Sequence, residues 1–212
     1  MTPTEQSIRT AEICRLAPVI PVLVIDDLAH AAPLARALVA GGLPALEVTL
    51  RTPAALDVIR AMAEVEGGAV GAGTLLTPGD VKAAKAAGAT FGVSPGATDA
   101  IIKACEDEGL PLLSGAATAT EVMRLLELGY TVQKFFPAES AGGAPAVKSL
   151  GGPLPQVSFC PTGGVSLQNA RTYLSLPNVL CVGGSWVAPK NLMEAGDWNG
   201  ITTLAREAAA LR

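Results

Sequence analysis

Residues 111–137, PLLSGAATATEVMRLLELGYTVQKFFP, decide how this chain folds. The stretch opens on a short apolar run, PLLSGA. Thr118 and Glu121 then stand three apart ahead of Val122, Leu125 and Leu126, the spacing of a capping box leading into an apolar helical stripe. Gly129 stops the stripe, and a second apolar run, TVQKFFP, follows at once. The reading is strand, helix, strand, packed into about the shortest length such a unit can have.

In both directions the same unit recurs. Apolar runs begin near Val19, Ala45, Ala69, Thr90, Pro111, Thr131, Gln156 and Val179, spaced by roughly 20 to 26 residues. Several, such as VIPVLVI, are near-continuous rather than alternating, as parallel strands buried on both faces require. Helix punctuation lies between them. Thr52-Pro53 and Thr77-Pro78 each set an N-cap hydroxyl before a proline at the first helical position. Ser166 reads as a cap ahead of Ala170 and Leu174, and Asp99, Ile101, Ile102 and Cys105 lead to a stop at Gly109. Residues 5–15 predict a helix before the first strand, and residues 201–211 a last one. Eight such units predict a single α/β domain over residues 1–212, a closed (β/α)8 TIM barrel with an extra N-terminal helix. A doubly wound open sheet is the alternative, but it leaves edges and rarely uses eight evenly spaced strands.

Composition fits one packed core. Of the 212 residues, 50% are hydrophobic and 16% charged, with a mean hydropathy of +0.41, the opposite of a disordered chain. A formal net charge of −4 gives no basic stripe for nucleic acid. The polar first ten residues hold no signal core, and residues 16–25, broken by Pro18 and Pro21, are too short to span a bilayer. The expectation is a cytoplasmic protein with no membrane contact. Cys14, Cys105, Cys160 and Cys181 show no metal-ligand spacing and His30 is the only histidine, so no metal site is expected. The cysteines read as small buried apolar residues.

Chemistry is sought where charge interrupts an apolar strand. Of six lysines, Lys82, Lys85 and Lys103 fall in helical stretches and Lys148 and Lys190 in Gly/Pro-rich loops; Lys134 alone sits inside a strand. An ion-paired strand lysine is the bland reading. A Schiff-base nucleophile is the other, and it requires burial, because an exposed amine is almost wholly protonated at neutral pH. In ALEVTLRTP, alternation puts Leu46, Val48 and Leu50 on one face and Glu47, Thr49 and Arg51 on the other. Glu47 and Arg51 are either a structural ion pair or a general acid/base beside an anion-binding guanidinium. Thr74 ends the next strand with a hydroxyl. Two glycine-rich strand ends, Gly163-Gly164 and Gly183-Gly184-Ser185, fall on the seventh and eighth strands, where barrels of this kind bind phosphate.

With EVTLRTP, GAGTLLTP, FGVSPG, QKFFPAE, CPTGGV and GGSW in place, the chain resembles the class I 2-keto-3-deoxy-6-phosphogluconate (KDPG) and 4-hydroxy-2-oxoglutarate aldolase family nearly end to end. The resemblance implies a homotrimer of barrels without metal or organic cofactor, acting on a phosphorylated 2-keto acid. It implies a Schiff-base role for Lys134 and a proton-transfer role for Glu47. Arg51 and Thr74 would bind the keto-acid carboxylate, and Pro95, Phe136 and Thr162 would line the pocket. Gly163, Gly164, Gly184 and Ser185 would contact the phosphate, and Thr162 suits the gluconate-derived substrate rather than its galactonate epimer. The chain departs from the family pattern at Ser114-Gly115 and Ala119, near a loop expected to shape the pocket. Two rivals share the scaffold: a phosphosugar epimerase or isomerase, which needs no imine, and a catalytically silent phosphate binder.

Overall fold

The computed structural model describes all 212 residues. Eight parallel strands run in the order β7-β6-β5-β4-β3-β2-β1-β8. They are β1 (Val19–Leu23), β2 (Ala45–Thr49), β3 (Ala69–Gly73), β4 (Phe91–Ser94), β5 (Leu112–Ala116), β6 (Val132–Phe135), β7 (Ser158–Pro161) and β8 (Val182–Gly184). Bridges between Phe159 and Val179 and between Thr162 and Gly183 bring the two ends of this order together, so the sheet is a nearly closed barrel. The open-sheet alternative is excluded. Each strand is shorter than its apolar run, trimmed at one end or both.

The helices are α1 (Pro3–Cys14), α2 (Ala31–Ala40), α3 (Ala55–Ala63), α4 (Pro78–Ala86), α5 (Asp99–Glu108), α6 (Ala119–Leu128), α7 (Gly143–Gly151), α8 (Ala170–Leu174), α9 (Lys190–Glu194) and α10 (Trp198–Ala209). Thr77 and Thr118 each close a complete capping box, with Asp80 and Glu121 reaching back to the cap backbone. Such a cap contributes about 1 kcal/mol. Gly109 ends α5 in the left-handed region at φ 61°, as a glycine stop should.

Two expected caps are not caps. Thr52 instead donates its hydroxyl to the Ile25 carbonyl at 2.7 Å, tying the end of one strand loop to its neighbour, and α3 starts at Ala55 without a side-chain cap. Ser166 is held the other way round: its N–H donates to Asn169 Oδ1 at 2.8 Å. Lys148 and Lys190 also lie on helices, α7 and α9, rather than in loops. Gly/Pro-rich flanks hid two short helices.

Burial follows the strand alternation. Leu46 and Val48 face the helix ring, in a cluster of 53 buried residues between strands and helices. The opposite faces fill the barrel interior with a smaller cluster of 10, including Ala45, Phe91, Leu113 and Val132. Three of the four cysteines, Cys14, Cys160 and Cys181, meet in that interior, although they lie far apart in sequence. Helix α1 closes the lower end. Gln6 Oε1 accepts the Leu112 N–H at 3.1 Å and Ser7 Oγ the Thr131 N–H at 2.8 Å, so its polar face satisfies backbone donors at the start of β5 and β6.

Candidate active site

Strand register brings the chemistry to one layer. Glu47 is paired with Gly71 and Val22, and Lys134 with Gly115 and Cys160, so all of them point into the barrel. Glycine at 71, 73 and 115 empties the space between. A Cβ on Gly73 would stand 2.3 Å from Glu47 Oε1, and one on Gly115 would stand 2.1 Å from the Pro95 carbonyl oxygen. The Glu47 carboxylate fits only because residue 73 has no side chain.

In that space Lys134 Nζ lies 3.5 Å from Glu47 Oε1, and the two residues are only 5% and 3% exposed. The amine also lies over the Phe136 ring, 5.1 Å from its centroid. Glu47 pairs with Lys134 and not with Arg51, so the structural ion pair considered from sequence does not form. Burial pushes the Glu47 carboxyl up from its ordinary value, while the Lys134 charge pulls it part of the way back. Such a pair is no stability device. Apolar replacements of buried ion pairs are often neutral or stabilising by about 1–4 kcal/mol, so its presence calls for a chemical reason.

Above the pair opens a cavity of about 240 Å³, and Lys134, Phe136, Arg51 and Thr162 all reach it. Arg51 is exposed and makes no ion pair or hydrogen bond within the protein, leaving its guanidinium free. Gly163, Gly164, Gly184 and Ser185 form the other wall. The Thr162, Gly163 and Gly164 carbonyls accept from Ala138 N–H (2.8 Å), Glu139 N–H (3.0 Å) and Asn169 Nδ2 (3.1 Å). With those carbonyls anchored, the N–H groups of Gly163, Gly164 and Val165 are left with no protein acceptor. Gly163 and Gly164 hold φ of 101° and 78°, a conformation that side chains rarely adopt. Successive free N–H groups of this sort make an anion-binding concavity.

Thr74 and Pro95 do not line the cavity. Pro95 follows β4 and packs against Gly115, while Thr74 is half-buried at the end of β3. Thr74 is the one non-glycine residue at positive φ, 62°, a strained conformation that tends to be kept at functional sites. Ser114 faces the helices, in register with Gln133, so this departure from the family pattern does not touch the pocket. The sequence reading missed Val22, Val24 and Val165 on the cavity wall, and the role of Gly73. For Gly73 a signal existed, because it is in phase with Gly71 along the inward face of its strand. No three His, Cys, Asp or Glu side chains converge as a metal-ligand set.

Comparison with known proteins gives one consistent result. The family model described as KDPG and KHG aldolase matches residues 10–204. The 2-dehydro-3-deoxy-phosphogluconate aldolase of Pseudoalteromonas atlantica is 54% identical over 194 residues, covering 91% of this chain and 90% of that one. The crystal structure of the Zymomonas mobilis KDPG aldolase with 3-phosphoglycerate superposes at a TM-score of 0.90 with 52% identity, over 95% of each chain. That of the Legionella pneumophila enzyme, with pyruvate captured as a covalent carbinolamine intermediate, superposes at 0.91 with 45% identity, over 94% of this chain and 98% of that one. The chain, with its eight-stranded barrel and its inward-facing lysine and glutamate, therefore belongs to the KDPG and KHG aldolase family.

Proposed function

We propose that this protein is a carbon–carbon lyase that reversibly cleaves 2-keto-3-deoxy-6-phosphogluconate to pyruvate and D-glyceraldehyde 3-phosphate through a Schiff base on Lys134. The observation that carries the reading is the buried Lys134–Glu47 pair at 3.5 Å, whose lysine reaches a cavity with unpaired backbone donors on its far wall. A phosphosugar isomerase needs the second feature but not the first.

In this reading the neutral Lys134 amine adds to the C2 carbonyl, and Glu47 supplies the proton with which the carbinolamine oxygen leaves as water. The resulting iminium is the electron sink. Glu47, now a carboxylate, takes the proton of the C4 hydroxyl; the C3–C4 bond breaks and its electrons form the enamine as the aldehyde departs. Protonation at C3 and hydrolysis of the imine release pyruvate and restore the amine. Arg51 holds the keto-acid carboxylate at one end. Gly163, Gly164, Gly184 and Ser185 hold the phosphate at the other, and Phe136 and Thr162 shape the space between. Acid/base help of this kind contributes about 10²- to 10⁴-fold in rate. The covalent sink contributes more, because without it the bond must break to a free carbanion.

The same reading makes residues 1–212 one barrel domain, assembled as a homotrimer in the cytoplasm, with 4-hydroxy-2-oxoglutarate as a second substrate. The family resemblance supports these points; no helix is long and apolar enough to cross a membrane. Pyruvate release from KDPG, followed by reduction to lactate with NADH, tests the activity. Wild-type protein should turn over and Lys134→Ala should not; turnover by the variant would refute the role of the lysine.

A further inference from the structure

Glu139 follows Lys134 in the QKFFPAE motif, and the proposed mechanism gives it no task. Its position is nevertheless constrained. A Cβ on Gly164 would meet Glu139 Cγ at 2.6 Å and Cβ at 2.7 Å, so the glutamate side chain lies directly against the glycine of the anion wall. Beside it are the N–H groups of Gly163, Gly164 and Val165, which lack a protein acceptor. A flexible carboxylate next to three such donors is itself a ligand for them, and a competitor for any anion they bind.

The carboxylate is held elsewhere. Tyr173 of α8, 1% exposed, donates its hydroxyl to Glu139 Oε1. Glu139 Oε1 and the Tyr173 hydroxyl both lie next to Gly143, the first residue of α7, where a Cβ would stand 3.6 Å from each. The start of α7 has no side-chain cap and leaves the Ala144 N–H without a protein acceptor, so this helix end favours a negative charge. Burial and the neighbouring carboxylate both push the Tyr173 phenol well above its ordinary value, so it remains a donor at any working pH.

We infer that Tyr173 is a positioning residue that tethers the Glu139 carboxylate behind the glycine loop, keeping the anion cradle open for the substrate's phosphate. This rests on the proposed function in assigning that cradle to the phosphate. It adds a residue that never touches substrate yet sets affinity for the phosphorylated end. A released Glu139 would lower affinity for phosphate but leave the pyruvate-binding end as it was.

The test is a double-mutant cycle read by two probes. Tyr173→Phe should weaken binding of inorganic phosphate, measured by calorimetric titration, on the order of fivefold, the scale set by unit charges a few ångströms apart in water. KM for KDPG should rise in parallel with kcat little changed, and the rate of borohydride-dependent labelling by pyruvate should be unaffected. In a Glu139→Gln background the same Tyr173→Phe change should have no effect on phosphate, because the competing charge is gone. An equal loss in both backgrounds, or a slowed pyruvate reaction, would assign Tyr173 a merely structural role and overturn the inference. If the wild-type protein cleaved no KDPG, the proposed function would fall, while the phosphate titration would still decide what Tyr173 does.

Discussion

Replacing Gly73 with alanine is the sharpest structural test of the site, because it adds one methyl group and changes no charge. Residue 73 lies in a regular strand and is not at positive φ, so alanine suits the backbone. The added Cβ would nevertheless stand 2.3 Å from Glu47 Oε1, 2.7 Å from Cγ and 2.9 Å from Cδ. Ordinary van der Waals contact is about 3.5–4.0 Å, so the carboxylate must shift by on the order of 1 Å. A displacement of that size at a reacting group costs about 10²-fold in rate, close to 2.7 kcal/mol of barrier. The fold should suffer by about 1–3 kcal/mol, the usual cost of overpacking. Steady-state cleavage of KDPG, with lactate dehydrogenase consuming the pyruvate, should therefore show kcat down about a hundredfold. Labelling of Lys134 by pyruvate should slow but persist, since the amine is untouched. A Gly73→Ala protein that is folded and turns over at the wild-type rate would refute the idea that Glu47 is held in place for proton transfer.

Two further outcomes follow from the same geometry. Burial raises the Glu47 carboxyl, so it holds its proton to higher pH than an ordinary glutamate and becomes a base only above that point. The acid limb of kcat/KM against pH should thus lie above the ordinary carboxylate range and flatten in Glu47→Gln; a limb at the ordinary position, or one the variant retains, would contradict this. Arg51→Ala should raise KM for KDPG and the half-saturating pyruvate concentration for borohydride inactivation by on the order of tenfold, the value of one charge-assisted hydrogen bond; unchanged constants would remove Arg51 from the carboxylate site.

Much of this arrangement was legible in the sequence, and the exceptions have physical causes. Period-two alternation in ALEVTLRTP places Glu47 inward from local pattern alone, and its partner follows once β6 is recognised as a strand. The barrel was equally legible, because eight apolar runs at nearly constant spacing leave few topologies. Caps were read correctly where the acidic partner sits three residues on, at Thr77 and Thr118. They were misread at Thr52, where a tertiary hydrogen bond to Ile25 determines the conformation, and at Ser166, where Asn169, three residues on, accepts the Ser166 N–H and takes the cap position itself. For Thr52, local spacing cannot reveal a partner 27 residues away. The same reason hid the meeting of Cys14, Cys160 and Cys181, and the dependence of Glu47 on an empty position at residue 73. Pro95 was read as a pocket residue from its motif alone, yet its carbonyl packs against Gly115 instead of lining the cavity.

The most direct measurement is borohydride reduction of the protein in the presence of pyruvate, followed by peptide mass mapping. One reduced pyruvyl adduct per chain is expected, on Lys134, with matching loss of KDPG cleavage and no labelling of the Lys134→Ala protein. An unmodified Lys134 in protein that still cleaves KDPG, or an adduct on one of the five other lysines, would contradict it.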